Sequence, residues 1–364
     1  MRFVLVLQKQ CMFTFVLLFG GLLFFSANEL SAQSRVITDM AGRKVTVPEK
    51  VLSVFSSNPI GTTLVYCLNP DKLTGLNGAI TPGEKRFLNK KYQSLPVIGA
   101  WSGNPKTINK ETLLAYHPDL ILASPSVTGQ IKASETIQEE TGIPVVILDQ
   151  DISQTGKMIR FVADLIGEQR RGEILASYAD EVLRENAGLI GSIPVSDRKK
   201  VYYAEGPRGL QTDPPHSFHT EVIDIAGAVN VADISGTAQG VVGRTTISFE
   251  QVALWNPDLL FVSDNTLADS GKGFYKAIPT DPLWSTIRAV RDGKYYRIPT
   301  DPWDWFDRPP SINRLIGIKW AESILYPERI NFNITEEVKE FYTLFYSVEL
   351  SDSEVFELLY PSGK

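Results

Sequence analysis

The chain has 364 residues, 43% of them hydrophobic and 21% charged, with a formal net charge of −6. That length supports two or more domains with cores of their own. The acidic balance leaves no basic stripe to neutralise phosphates and argues against a nucleic-acid partner, though not against a small anionic ligand held by local positive groups.

Arg2 and Lys9 precede an apolar stretch over residues 12–26, short of the about 20 residues that span a bilayer. Small residues follow at Ser31 and Ala32. This is the layout of a cleavable secretion signal over 1–33, without a lipobox cysteine; an uncleaved anchor is the alternative. Cys11 falls in that leader. Cys67, beside Leu64, Val65 and Tyr66, is then expected as a lone buried thiol.

Residues 34–166 read as a first α/β lobe, 167–192 as a connecting helix and 193–364 as a second α/β lobe. Alternation over 36–48 around Ala41-Gly42 reads as a hairpin. A buried strand over 51–55 ends in a polar turn at Ser57-Asn58-Pro59 that can cap a helix. Short strands are expected at 73–76 and 97–98, and a further one over 142–149. Ile174, Leu175, Tyr178, Val182 and Leu189 share one stripe of a helix over about 168–190. The second lobe opens with a strand at 200–204. A helix follows from near Ser217 to Gly227, then a helix at 283–290, an edge strand at 293–299, and closing helices at 310–325 and 334–346.

One segment occurs twice. Glu111, apolar residues at helical spacing, Pro118-Asp119-Leu120 and an apolar run to Ser124 return as Glu250, a similar apolar pattern, Pro257-Asp258-Leu259 and a run to Ser263. Each copy reads as helix, turn and buried strand: proline ends the helix, aspartate bonds its own backbone in the turn, and the short run suits a strand covered on both faces. The copies are a domain's length apart, so the expected fold is α/β: two Rossmann-like lobes joined by one long α-helix, with a ligand cleft between them.

Ligands of open α/β sheets sit beyond the carboxyl ends of the strands. In lobe one that rule selects Ser57, Asn58, Trp101 and Ser102; in lobe two, Arg208, His216, Ser217, His219, Arg244, Trp303, Trp305 and Arg308. Trp303, Trp305 and Phe306 offer flat apolar walls, and Arg308 a fork of donors for carboxylate, catecholate or oxyanion oxygens. The alternatives are that the aromatics pack the lobe and that Arg308 pairs with Asp304 or Asp307. His216 and His219 are spaced to share a helix face and form a candidate metal pair, or else a solvated pair at a helix start that Ser217 caps. Arg244 is a second positive group or a surface arginine. Tyr203 reaches the cleft or stays in the core. No nucleophile–base set and no nucleotide-binding glycine motif is present.

The hairpin over 36–47, both Pro-Asp-Leu copies, the segment 221–231, Asp281-Pro282-Leu283-Trp284, residues 293–299, Arg308-Pro309-Pro310-Ser311, and Tyr326-Pro327-Glu328 with Phe341-Tyr342 come in an order that resembles one family. It is the class III, helical-backbone type of periplasmic solute-binding protein, which serves ABC importers of iron-siderophores, cobalamin, haem and related metal compounds. The resemblance implies a periplasmic monomer that captures a metal compound, ferric siderophore foremost, and delivers it to a membrane permease. Molybdate or tungstate, or a nickel or cobalt chelate, is the alternative cargo. A chelatase-like enzyme or a secreted haem scavenger is the alternative of another class. No resident cofactor is implied, the iron, nickel, cobalt or molybdenum belonging to the ligand. In such proteins acidic residues on each lobe dock on the permease; Glu221 fits the lobe-two position and Glu84 is the candidate on lobe one, with ordinary exposed glutamates as the alternative for both.

Overall fold

In both lobes a parallel sheet is built around the repeated segment. The computed structural model describes residues 33–101, 108–124, 128–234, 244–264 and 273–360. The expected leader, up to its last residue, and Ser102 lie outside them. Strands β1 (Ser34–Thr38) and β2 (Lys44–Pro48) form the expected antiparallel hairpin. In lobe one β3 (Val54–Ser56), β4 (Leu120–Ala123) and β5 (Val145–Ile147) run parallel in the order β3-β4-β5. Isolated parallel bridges Val54–Leu73 and Leu76–Val97 extend that sheet, where short strands were expected. In lobe two β6 (Lys200–Ala204), β8 (Val229–Asn230), β10 (Leu259–Val262) and β11 (Tyr295–Arg297) run parallel in the order β11-β10-β6-β8. The two-residue strands β7 (Gln211–Thr212) and β9 (Thr245–Thr246) pair antiparallel beside it.

β4 and β10 are the repeated strands. Each lies between the first strand of its lobe and the last, which is why both are wholly buried. The helices before them, Lys110–Tyr116 and Phe249–Trp255, end on His117 (φ 38) and Asn256 (φ 44) in the left-handed region. A following proline disfavours the α region, and the left-handed cap lets the chain turn at once into the strand. The aspartates do not bond their own turn. Asp119 Oδ2 accepts from Leu52 N (2.8 Å) and Ser53 N (2.9 Å), and Asp258 Oδ2 from Lys200 N (2.8 Å). Each aspartate thus ties its own strand to the start of the neighbouring one.

The connecting helix Gln169–Gly191 has 23 residues and spans about 34 Å. It is not the sole link between the lobes. The C-terminal helix Ile334–Tyr346 and the loop after β11 pack against lobe one: Tyr66 meets Trp303 (5.6 Å) and Tyr346 (6.2 Å), and Phe87 meets Tyr342 (5.3 Å). Residues of both lobes therefore share one apolar core, which contains Cys67 as a buried free thiol. A hinge motion that separated these rings would expose that surface to water, so the lobes are held to small movements.

Several helices differ from expectation: the one expected from Ser217 to Gly227 is a turn, Phe218–Thr220, followed by the helix Glu221–Ile225. Residues 283–290 form two short turns, Trp284–Thr286 and Arg288–Arg291, because Ile287 between them is extended. The helix expected from 310 begins at Arg314, after two prolines. Asp352–Leu359 is an additional helix, with a capping box between Ser351 and Glu354. Among the described residues no helix is long and apolar enough to cross a membrane.

Candidate ligand-binding site

The loops beyond the strand ends of the two lobes face each other across two cavities. One, of about 300 Å³, is lined by Thr62, Asn77, Glu84 and Tyr92 of lobe one with Trp303 and Pro309 of lobe two. The other, of about 450 Å³, lies between Asp149, Gln150 and Asp151 and the segment carrying His216, Ser217, Phe218 and Glu221.

In lobe one the site loops are held by their own backbone. Asn58 caps the helix Pro59–Leu68, accepting from Gly61 N (3.3 Å) and donating to Ser124 O (3.1 Å). Ser57 is buried, its carbonyl accepting from Trp101 N (2.9 Å), and the half-buried Trp101 ring stands edge-on to Phe55. Neither Asn58 nor Ser57 lines either cavity; both act in holding the loop that precedes Pro59.

In lobe two the strand ends carry a cluster of charges. Glu205, just past β6, is fully buried, and its Oε1 accepts from both Arg308 Nε (2.7 Å) and Arg244 Nε (2.8 Å). Arg308 Nη2 also donates to Asp213 Oδ2, and Arg308 Nε lies 3.5 Å from Asp307 Oδ2. Asp307 in turn holds His219 Nδ1. The carboxylates lie beneath, and the arginine side chains reach the surface, 20% and 24% exposed. Arg308 therefore pairs with Glu205 and Asp213, with Asp307 close and Asp304 not its principal partner. Burial and the neighbouring Glu205 push the Asp213 carboxyl up to about 7. Burial opposes ionisation of Glu205 too, yet Arg308 and Arg244 hold it below the ordinary glutamate range.

The other candidates are scattered. Trp305 is fully buried against Trp320 and Tyr342 and forms core, not a cleft wall. Trp303 is buried as well, docked on Tyr66 and Tyr92, but borders the smaller cavity. Both are consumed by the shared aromatic core, which no local spacing announces. Tyr203 is in the core, its hydroxyl beside Glu205. Arg208 is exposed on the turn between β6 and β7. Ser217 does cap the turn Phe218–Thr220, accepting from His219 N (3.2 Å). The two histidines do not converge: the His216 side chain is 90% exposed and 3.6 Å from Asp224, while His219 turns to Asp307. Among the described residues no group of three or more His, Cys, Asp or Glu is arranged to hold a metal ion.

Neither Glu84 nor Glu221, the two docking candidates, stands free. Glu84 closes a capping box with Thr81 and lines the smaller cavity. Glu221 accepts from Arg314 Nη1 (2.8 Å) and, across the cleft, from Ile152 N (3.0 Å). Arg314 is itself buried and donates to Gln150 O (2.5 Å) of lobe one. Glu205, Asp213 and Arg314 were not singled out in the sequence, and Asp307 only as a partner of Arg308. The signal for Glu205 and Asp213 was weak, namely an acid directly after a strand and one before a proline, and Arg314 gave none.

Asp304 carries a testable consequence. It is buried, and its Oδ1 accepts from Phe306 N (2.7 Å) and Asp307 N (2.9 Å). Burial pushes its carboxyl up to about 7 against those donors. A carboxyl raised in the folded state contributes stability that is fully present below its unfolded value, and loses it as pH rises through the folded one. Stability is therefore expected to fall from about pH 4 to pH 7, a fall shared with Asp213 and Glu322, both also near 7. Asp304→Asn keeps the acceptor and should flatten part of that fall in urea unfolding at several pH values. A variant as pH-sensitive as the parent would refute the assignment.

A family profile described as periplasmic binding protein matches residues 81–302. Among solved structures, an ABC transporter solute binding protein from Sulfurospirillum deleyianum is 32% identical, with a TM-score of 0.81, covering 90% of this chain and 99% of that one. Among curated proteins, the molybdate-binding protein MolA of Haemophilus influenzae is 25% identical over 86% of this chain and 91% of its own length. The Fe(3+)-citrate-binding protein YfmC of Bacillus subtilis is 23% identical over 82% of this chain and 86% of its own. With two lobes, a long connecting helix and a cleft between them, the chain belongs to the periplasmic binding protein family, the solute-binding proteins of ABC importers.

Proposed function

We propose that this protein captures an anionic, oxygen-rich metal compound in its inter-lobe cleft, with an oxyanion of the molybdate class foremost, and delivers it to an ABC permease. The observation that carries this reading is the pair Arg244 and Arg308, both anchored on the buried Glu205 at the strand ends of lobe two. Anchored guanidiniums lose little freedom on binding and suit tetrahedral oxyanions and carboxylates. Molybdate and ferric citrate, named for the two curated relatives, both fall in this class. The cavities, of about 300 and 450 Å³, are lined beside the cluster, by Pro309 and by His216 to Phe218, rather than by the two arginines themselves, and lie at the small end of ligand pockets. A ferric siderophore is the second reading, favoured by the apolar lining that Leu76, Ile80, Leu88 and Trp303 give the smaller cavity. In this reading the protein works as a secreted monomer in the periplasm, and cargo is bound and released without chemical conversion.

Thermal unfolding with molybdate, tungstate, ferric citrate, a ferric siderophore, nickel with histidine, cobalamin and haem tests the reading. A ligand at 100 times its Kd adds about 2.7 kcal/mol. Stabilisation by molybdate or tungstate is expected; a shift with the siderophore alone favours the second reading, and no shift with any anion refutes both.

A further inference from the structure

We infer that Asp213 is a specificity-determining residue that couples capture of a doubly charged anion to uptake of one proton. This inference rests on the anion reading above. The cluster holds three buried carboxylates, Glu205, Asp213 and Asp307, against two guanidiniums, Arg244 and Arg308. With every acid ionised, the arginines are more than neutralised from beneath, and an incoming dianion meets one net negative charge. Protonating one acid corrects that balance, and three observations single out Asp213.

First, the Asp213 side chain is wholly buried while the arginine above it is not. Second, its Oδ1 has no hydrogen-bond partner, neither has Oε2 of Glu205, and the two carboxyl groups lie within hydrogen-bond reach of each other. A proton on Asp213 would therefore find an acceptor, whereas two bare carboxylates side by side repel. Third, the surroundings divide the two acids. Arg308 and Arg244 both grip Glu205 through Nε and keep it ionised, while Asp213 shares only one end of Arg308. The other groups facing the pair are His219, Asp307 and the Tyr203 hydroxyl. Burial has already brought Asp213 close to neutrality at physiological pH, so the added negative charge of a bound dianion completes its protonation. The proton comes from solvent on capture and returns to it on release. A monoanion of the same shape gains less from this coupling, which makes Asp213 a filter for charge.

Calorimetric titration with sodium molybdate from about pH 6 to pH 8.5, in buffers of different ionisation enthalpy, tests the coupling. Affinity is expected to fall by about tenfold per pH unit above pH 7, with close to one proton taken up per molybdate at the alkaline end. In Asp213→Asn, which keeps an acceptor for Arg308, uptake should disappear and affinity at pH 8 should rise by about tenfold. Tight binding with no pH dependence in the wild-type protein overturns the inference while leaving the anion reading intact. Undiminished uptake in the variant also overturns it. No binding of molybdate or tungstate at pH 6 overturns the oxyanion reading, and this inference with it.

Discussion

Replacing Arg308 by alanine is expected to destabilise the protein by about 3–5 kcal/mol at pH 8 and to weaken binding of its anionic cargo at least tenfold. The first effect follows from what lies under the guanidinium. Arg308 is the shared partner of Glu205 and Asp213, both fully buried, and lies 3.5 Å from Asp307. Removing one partner of a buried ionic cluster leaves uncompensated charge, and that costs far more than the cluster contributes when intact. The sequence alone would have made this a mutation of binding only. The sign of its pH dependence follows from Asp213. A carboxyl already raised to about 7 rises further without its arginine, so the loss should shrink as pH falls and the acid takes up a proton. Urea unfolding at pH 8 and pH 6 measures this, and binding is best compared at the lower pH, where the variant is better folded. Arg308→Lys keeps the charge but loses the fork; it should recover most of the stability and less of the affinity. Equal stability of Arg308→Ala and parent at pH 8 would contradict the buried pairing.

The second large effect is expected at Glu221. Its carboxylate bridges Arg314 of its own lobe and Ile152 N of the other, and Arg314 reaches across to Gln150 O with Phe218 beneath its guanidinium at 5.2 Å. These contacts form a latch between the lobes at the edge of the larger cavity. Burial pushes the Glu221 carboxyl up to about 6, although Arg314 pulls the other way, so the latch is closed at some cost in desolvation. Glu221→Ala strands a buried arginine and should cost about 3 kcal/mol. It should also speed amide exchange over residues 150–154, because Ile152 N loses its acceptor. Unaltered exchange there would mean that the lobes are held by the aromatic core alone. A permease-docking role for Glu221 would require the latch to open first.

How much was legible in the sequence differs from element to element. β4 and β10 were placed to the residue, since a short apolar run bounded by Pro-Asp and Ser has few other solutions. The connecting helix and the helix Ile334–Tyr346 were readable from their apolar stripes. The break at Ile287 and the late start at Arg314 were not, because they depend on what packs against those turns. Within the site, Arg308 and Arg244 stood out as cations in strand-end loops, and Ser217 as a cap. Trp305 misled, because an aromatic after a strand looks the same whether it lines a cleft or fills a core.

The sequence by itself determined the repeat, the two parallel sheets it builds, the long helix between them and the family. These follow from spacings of a few residues, at which period, proline and capping chemistry act directly on the backbone. Only the tertiary structure decided which charges meet. Arg308 and Glu205 are 103 positions apart, Arg308 and Asp213 95, and Arg314 reaches Gln150 over 164. Burial of a charge is stable only when its partner arrives with it. The pairing of Arg308 was therefore fixed by packing within lobe two, and that of Arg314 by the meeting of the two lobes.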